Sequence, residues 1–198
     1  MSVSELLDEA QTLLAQKAYR EAHSRCLSVL QQDPRNASAY YLLGILTADH
    51  ANHAKAVELF DRSLAFAPHH APSYAQKARS LIALNQREAA LETVQLASQQ
   101  PDPTPFTLDT LGVVLSRAGR HEDAISFYEK AVAGAPENSE YFYNYGAALQ
   151  FLGRMDEARE AYQRVIALDQ DDARARAAMV TITKQPAEEN SIAELEAL

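Results

Sequence analysis

The sequence predicts an all-α protein, an array of five helix-turn-helix repeats followed by a C-terminal capping helix. Three observations predict it. Alanine fills 36 of the 198 positions, glycine six and tryptophan none. That balance favours helix, because alanine is the best helix former and long β-branched runs are few. Prolines fall at Pro34, Pro68 and Pro136, the first two 34 residues apart and the third twice that distance further on. Blocks set on that spacing, at 3–36, 37–70, 71–104, 105–138 and 139–172, run without insertion and align small residues over small and large apolar residues over large.

Each block reads as a first helix, a tight turn and a second helix. In the first helix, position four holds Leu6, Tyr40, Tyr74, Leu108 and Phe142, and position eleven holds Leu13, Thr47, Leu81, Leu115 and Leu149. These large residues recur at helical spacing and make an apolar face. Position eight, on the same helix, is Ala10, Gly44, Ala78, Gly112 and Gly146. With so little side chain there, a second helix can cross closely. At position fifteen the last three blocks hold Asn85, Gly119 and Gly153, types that tolerate the left-handed conformation that ends a helix. The second helix carries alanine at position twenty (Ala22, Ala56, Ala90, Ala124, Ala158) and Cys26, Phe60, Val94, Tyr128 and Tyr162 at position twenty-four. Proline at position thirty-two follows it, where a helix could not continue.

One such pair cannot bury its own apolar face, so stability comes from stacking neighbours, and the last repeat needs a cap. Residues 173–185 read as that capping helix. Ala173, Ala177, Met179 and Val180 are expected toward block five, with Arg174, Arg176 and Lys184 in water. The segment Pro101-Asp102-Pro103-Thr104-Pro105 reads as a stiff loop between repeats three and four, since the repeat phase runs through it. Thr104 or Thr107 is expected to cap the next helix.

Block two reads Tyr40-x2-Leu43-Gly44-x2-Thr47, then Ala56-x3-Phe60 and Pro68. Block four reads Leu108-x2-Leu111-Gly112-x2-Leu115, then Ala124-x3-Tyr128 and Pro136. These columns resemble the tetratricopeptide repeat, whose 34-residue pattern is W-x2-L-G-x2-Y, A-x3-F and P. Block one departs from it with Glu9-Ala10 and block three with Lys77-Ala78 in place of Leu-Gly. The resemblance covers residues 3–172. It implies a right-handed solenoid whose first helices line a concave groove for a peptide or protein partner. The family's groove positions two, five, nine, twelve and thirteen fall here on Tyr41, Ile45, Arg79, Phe106, Asp109, Val113, Arg117, Tyr143 and Phe151, among others. Aromatic and Arg residues are the usual anchors of an interface.

Chaperone-binding members of the family hold a terminal carboxylate with Lys and Asn at positions five and nine, Asn at six of the next repeat, and Lys and Arg at two and six of the third. The best register here supplies Asp109, Val113, Asn144, Arg174 and Ala178. Asn144 and Arg174 fit and Asp109 would repel, so no such clamp is expected, while Asn144 joins the candidate groove.

Other chemistry finds little support. The net charge is −9, with residues 1–104 at −2 and residues 105–198 at −7, and Lys and Arg form no cluster. Such a chain does not neutralise phosphates, so neither nucleic acid nor an anionic membrane is an expected partner. One cysteine permits no internal disulfide, and the start MSVSELLDEAQ is unlike a secretory signal; a cytoplasmic protein is expected. Cys26 lies in the buried column and reads as a core thiol. Among the histidines His23, His50, His53, His69, His70 and His121, His50 and His53 are spaced to share a metal, but no cysteine joins them and they read as surface residues. No phosphate-cradling loop is present. No catalytic residue, metal or cofactor is expected.

The tail after Pro186 carries Ser191 and Glu194 as a capping box, with Ile192, Leu195 and Leu198 on one face, so 187–198 reads as the start of a further amphipathic helix. It ends without a stop signal, which reads as a longer native chain and leaves an exposed end suited to self-association. Residues 184–198, Lys-Gln-Pro-Ala-Glu-Glu-Asn-Ser-Ile-Ala-Glu-Leu-Glu-Ala-Leu, resemble the segment after the repeats in bacterial tetratricopeptide-repeat sulfotransferases. That resemblance implies an N-terminal arm that positions an acceptor for a catalytic domain absent from these residues.

Overall fold

The computed structural model describes residues 1–101 and 103–182, and every regular element among them is a helix. The chain divides into two units, residues 1–103 and 104–198, inside the proline-rich segment. Unit 1 holds three antiparallel pairs: α1 (Val3–Ala15) with α2 (Tyr19–Gln32), α3 (Ala37–Asp49) with α4 (His53–Phe66), and α5 (Ala71–Ala83) with α6 (Arg87–Ser98). Unit 2 holds α7 (Pro105–Arg117) with α8 (His121–Gly134), α9 (Ser139–Phe151) with α10 (Met155–Leu168), and a further helix, α11, running over 173–182. Within each unit the second helix of a pair packs on the first helix of the next: α2 on α3, α4 on α5, α8 on α9.

Two columns of the repeat meet in the core and compensate in size. A methyl group on Gly44 would stand 2.5 Å from the Phe60 ring, and one on Gly112 2.6 Å from the Tyr128 ring. At Gly146 the ring of Tyr162 is 3.0 Å away. Where position eight is alanine instead, its partner column is small: Cys26 in the pair with Ala10 and Val94 in the pair with Ala78, all four buried. Glycine is therefore required only where an aromatic ring fills the crossing.

The turns are more uniform than the sequence implies. Position fifteen has positive φ in every repeat: 59° at Lys17, Ala51 and Asn85, 71° at Gly119 and 75° at Gly153. Each turn closes with the same two bonds. In the first, the Lys17 amide donates to Leu14 O at 3.0 Å and the Ala18 amide to Leu13 O at 2.9 Å. In the last, the Gly153 amide donates to Gln150 O at 3.1 Å and the Arg154 amide to Leu149 O at 3.0 Å. This is the Schellman pattern, which satisfies the final carbonyls of the helix. The first two repeats adopt it despite Lys17 and Ala51, residues that give no sign of it in the sequence.

Helix starts are set by polar caps. Ser2 and Glu5 form a reciprocal capping box, and Asn36, Asn52 and Asn138 each accept an amide from the first turn. Of the two threonines considered for α7, Thr104 does the capping: its Oγ1 accepts the Thr107 amide at 3.2 Å.

The capping helix presents a different face from the expected one. Asp172 Oδ1 accepts the Ala175 amide at 3.0 Å, and the buried residues are Ala175 and Ile182, with Ala173 and Ala177 exposed and Val180 52% exposed. The reason lies in the repeat phase. Positions three and ten, two turns apart, are buried in the preceding helices as Thr107 with Val114 and Tyr141 with Ala148. Ala175 and Ile182 occupy those same positions, so α11 buries the same face as α7 and α9. Lys184, the end of the expected cap at 185 and the tail helix at 187–198 lie outside the described residues.

Candidate functional site

The predicted groove residues divide between the two units. Tyr41, Ile45 and Arg79 belong to unit 1. Tyr41 is half-buried against the core of Ala10, Cys26, Leu42 and Leu43. Its ring lies 6.1 Å from Phe60 and edge-on to His70 at 4.9 Å. Burial pushes its phenol up to about 12. His70 in turn shares a hydrogen with the Ser73 hydroxyl at 2.7 Å, and Ser73 with Ser63 at 2.9 Å. Tyr41 is thus tied into the interior, Ile45 is half-buried and Arg79 is exposed.

Unit 2 gathers more of the set. Val113 and Arg117 on α7 and Asn144 and Phe151 on α9 line one pocket of about 250 Å³. Ser116, His121, Tyr128, Ala147 and Ala148 complete its lining. Asn144 is oriented by Asp109, whose Oδ1 accepts from the Asn144 amide nitrogen at 2.9 Å. Asp109 itself is 8% exposed, so the acid expected on the groove surface instead supports Asn144 from beneath. The Tyr128 hydroxyl reaches Ser116 at 3.2 Å, and burial raises its phenol strongly. Phe151 is 71% exposed and stacks on the His121 ring at 3.6 Å.

The remaining predicted residues stand apart from the pocket. Phe106 is 46% exposed near the start of α7. Tyr143 lies under the Arg174 guanidinium, which sits 4.3 Å from its ring and also pairs with Glu140 at 2.7 Å and Asp172 at 2.8 Å. Arg174 is therefore engaged by two carboxylates of the chain itself.

Sequence reasoning missed five pocket residues, one of them Ala148 at the buried position ten. Ser116 and Ala147 sit at groove positions twelve and nine, so the repeat frame itself was the signal for them. Tyr128 reads in the sequence only as a core residue, yet its ring reaches the pocket floor. His121 lies at position seventeen, the first residue of a second helix, where no pattern points. Its buried Nδ1 has no hydrogen-bond partner, but neither has that of His53 at the same position of repeat two, so this feature belongs to the repeat geometry and not to the pocket. Burial pushes the Cys26 thiol up to about 11, which keeps it protonated. Among the described residues no cluster of His, Cys, Asp or Glu is arranged to hold a metal, and no helix is long and apolar enough to cross a membrane.

Comparison with known proteins bears on this arrangement. Sequence models of the tetratricopeptide repeat match residues 7–71 and 115–182, and one described as the N-terminal tetratricopeptide region of Psidin matches 46–148. The mitochondrial import receptor subunit TOM70 of Rattus norvegicus is 25% identical over 139 residues, which are 70% of this chain and 22% of that protein. The chain spans under a quarter of the length of the curated relatives it matches. Among solved structures, a thermophilic tetratricopeptide protein of Thermus thermophilus superposes with a TM-score of 0.75 at 19% identity, covering 92% of this chain and 99% of that one. YrrB, described as having an unusual peptide-binding site, gives a TM-score of 0.61 at 21% identity over 87% of this chain and 89% of its own.

Proposed function

Because the chain belongs to the tetratricopeptide repeat family, we propose that it is a protein-interaction scaffold whose first helices bind a segment of a partner protein. One observation carries this reading. The large apolar side chains left exposed on α7 and α9, Phe106 and Phe151, both occupy groove positions, and Phe151 lines a pocket. An aromatic ring left 71% exposed beside a pocket has apolar area that a partner would remove from water. Arg117 and Asn144 supply hydrogen bonds at the same place, and Arg79 supplies a second exposed cation in unit 1. The single cysteine, which permits no internal disulfide, supports a cytoplasmic setting.

The test uses partner capture from the source cells with the whole chain as bait. Phe151→Ala and Arg117→Ala should lose the proteins that the parent chain retains. Leu96→Ala, which removes a side chain 47% exposed on a second helix, should keep them. Equal capture by all three variants would refute the assignment of the binding face. Tyr41 and Tyr143 are poorer probes, because truncating them also removes core or Arg174 contacts.

A second reading makes the chain the accessory region of a sulfotransferase, positioning the acceptor. It rests on the resemblance of residues 184–198, which lie outside the described residues. A strand, phosphate-cradling loop and helix encoded after Leu198 would decide for it.

A further inference from the structure

The pocket on α7 and α9 has a lining that selects what enters it. Among the described residues its one formally charged lining residue is Arg117, and no carboxylate lines it. Arg117 is exposed and forms no ion pair among the described residues. The nearby acids are otherwise engaged: Asp109 accepts from Asn144, Glu140 pairs with Arg174, and Asp123 pairs with Arg120 at 2.5 Å. Glu122, next to His121, is exposed. The walls are apolar, made by Val113, Ala147, Ala148 and Phe151, and the two hydroxyls of Ser116 and Tyr128 satisfy each other. At about 250 Å³ the space falls below the roughly 300–1,000 Å³ of small-molecule pockets. It suits one large side chain.

Charge supplies the rest of the argument. Residues 105–198 carry a net −7, so most of this half repels acids. Arg117 reverses that sign locally, and within about one Debye length of ~8 Å its own field dominates that of more distant exposed carboxylates. A guanidinium offers a planar fork that a carboxylate can meet with two hydrogen bonds.

Building on the scaffold reading above, we infer that this pocket receives an acidic–apolar step from within a partner protein's chain. The large apolar side chain packs on Val113, Ala147 and Phe151, and the adjoining Asp or Glu carboxylate pairs with Arg117. An internal side chain is favoured over a chain terminus because a terminal carboxylate meets no second free cation among the described lining residues, and Arg174 is held by Glu140 and Asp172.

The experiment is an NMR titration of the whole 198-residue chain with blocked peptides. The probe is acetyl-Ala-Phe-Glu-Ala-Ala-amide, with matched peptides carrying Gln for Glu or Ala for Phe, and Ala-Ala-Phe with a free carboxylate. The Glu peptide should shift the amides of Val113, Arg117, Ala147 and Phe151, and bind about fivefold tighter than the Gln peptide in ~50 mM salt, the scale of one exposed ion pair. Arg117→Gln, a change at an exposed position, should bring that ratio close to one, and the Ala-for-Phe peptide should bind more weakly than its parent. Equal affinity for the Glu and Gln peptides, with shifts still on α7 and α9, would overturn this inference and leave the scaffold reading standing. Tighter binding of the free-carboxylate peptide would overturn it in favour of a terminus. The same shifts on raising protein concentration without peptide would overturn it in favour of a second copy. No shift on α7 or α9 at about 10 mM peptide, where even weak binding registers, would remove both readings.

Discussion

Gly44 meets the Phe60 ring so closely that its hydrogen is a packing residue in its own right. A Cβ there would stand 2.5 Å from Phe60 Cε1, and Phe60 is 0% exposed, so the ring has no solvent to move into. Alanine at this position would gain about 1 kcal/mol of helix propensity and lose about 1–3 kcal/mol to overpacking. The second effect wins, and Gly44→Ala should lower the urea midpoint. Gly146→Ala should cost less, because the Tyr162 ring is 3.0 Å away. The sharper expectation concerns coupling. In repeats one and three alanine at this position is matched by Cys26 and Val94, so Gly44→Ala combined with Phe60→Val copies a pairing the chain already uses. The double variant should be at least about 0.5 kcal/mol more stable than the sum of the two single losses, as expected for residues in contact. Strict additivity would show that the two positions do not sense each other. Both columns are plain in the sequence, but reading each downward conceals that they answer one another across the helix pair.

At the scale of the element, the turn between the paired helices is fixed by repeat position more than by residue type. Three non-glycine residues hold φ of 59° there, in a region that costs an L-residue about 1–2 kcal/mol. Lys17 and Ala51 tolerate it because the flanking helices and the two closing hydrogen bonds leave the chain no other path. Ala51→Gly removes that strain and gives back part of the gain as unfolded-state entropy, about 0.5–1 kcal/mol. A net rise in stability of about 0.5 kcal/mol is expected, read as a higher denaturation midpoint. The mirror change, Gly153→Ala, should lower the midpoint although the added methyl meets nothing within 4 Å beyond its own chain neighbours, since its cost is conformational alone. If both substitutions leave the midpoint unmoved, the turns carry no strain. The sequence reveals three of these five turns because glycine and asparagine announce the left-handed region, whereas lysine and alanine do not. The same limit explains the capping helix. Alanine is so common that its pattern over 173–180 fits more than one face, and the Asp172 cap, which sets the phase, is one of three acids that the sequence alone does not tell apart.

At the scale of the whole molecule, the fold is legible because a repeated fold writes the same packing demand five times, and noise in one block is corrected by the others. First helices begin at residues 3, 37, 71, 105 and 139, the same period that the prolines mark. A binding surface has no such redundancy. Each groove position occurs once per repeat with a different residue, and whether that residue serves the core or the surface depends on neighbours the repeat frame does not specify. Asp109 illustrates this: in the sequence it is an acid on the groove, and in the fold it is the buried support of Asn144. Charge, by contrast, is a property of the whole chain that composition does report. With 27 acids against 18 bases and Arg25, Lys55, Lys77, Arg120, Arg154, Arg159, Arg164 and Arg174 each held in an ion pair, no row of free cations remains among the described residues to displace counterions from a polyanion. Non-specific nucleic-acid binders reach a Kd of roughly 1–100 µM at physiological salt by such displacement. The anisotropy of a labelled ~20-base-pair duplex, and of single-stranded RNA, should therefore stay flat to about 100 µM protein at ~150 mM salt. A saturable rise that weakens with added salt would show instead that exposed cations of the chain act on phosphate, and the binding surface would have to be reassigned to that chemistry.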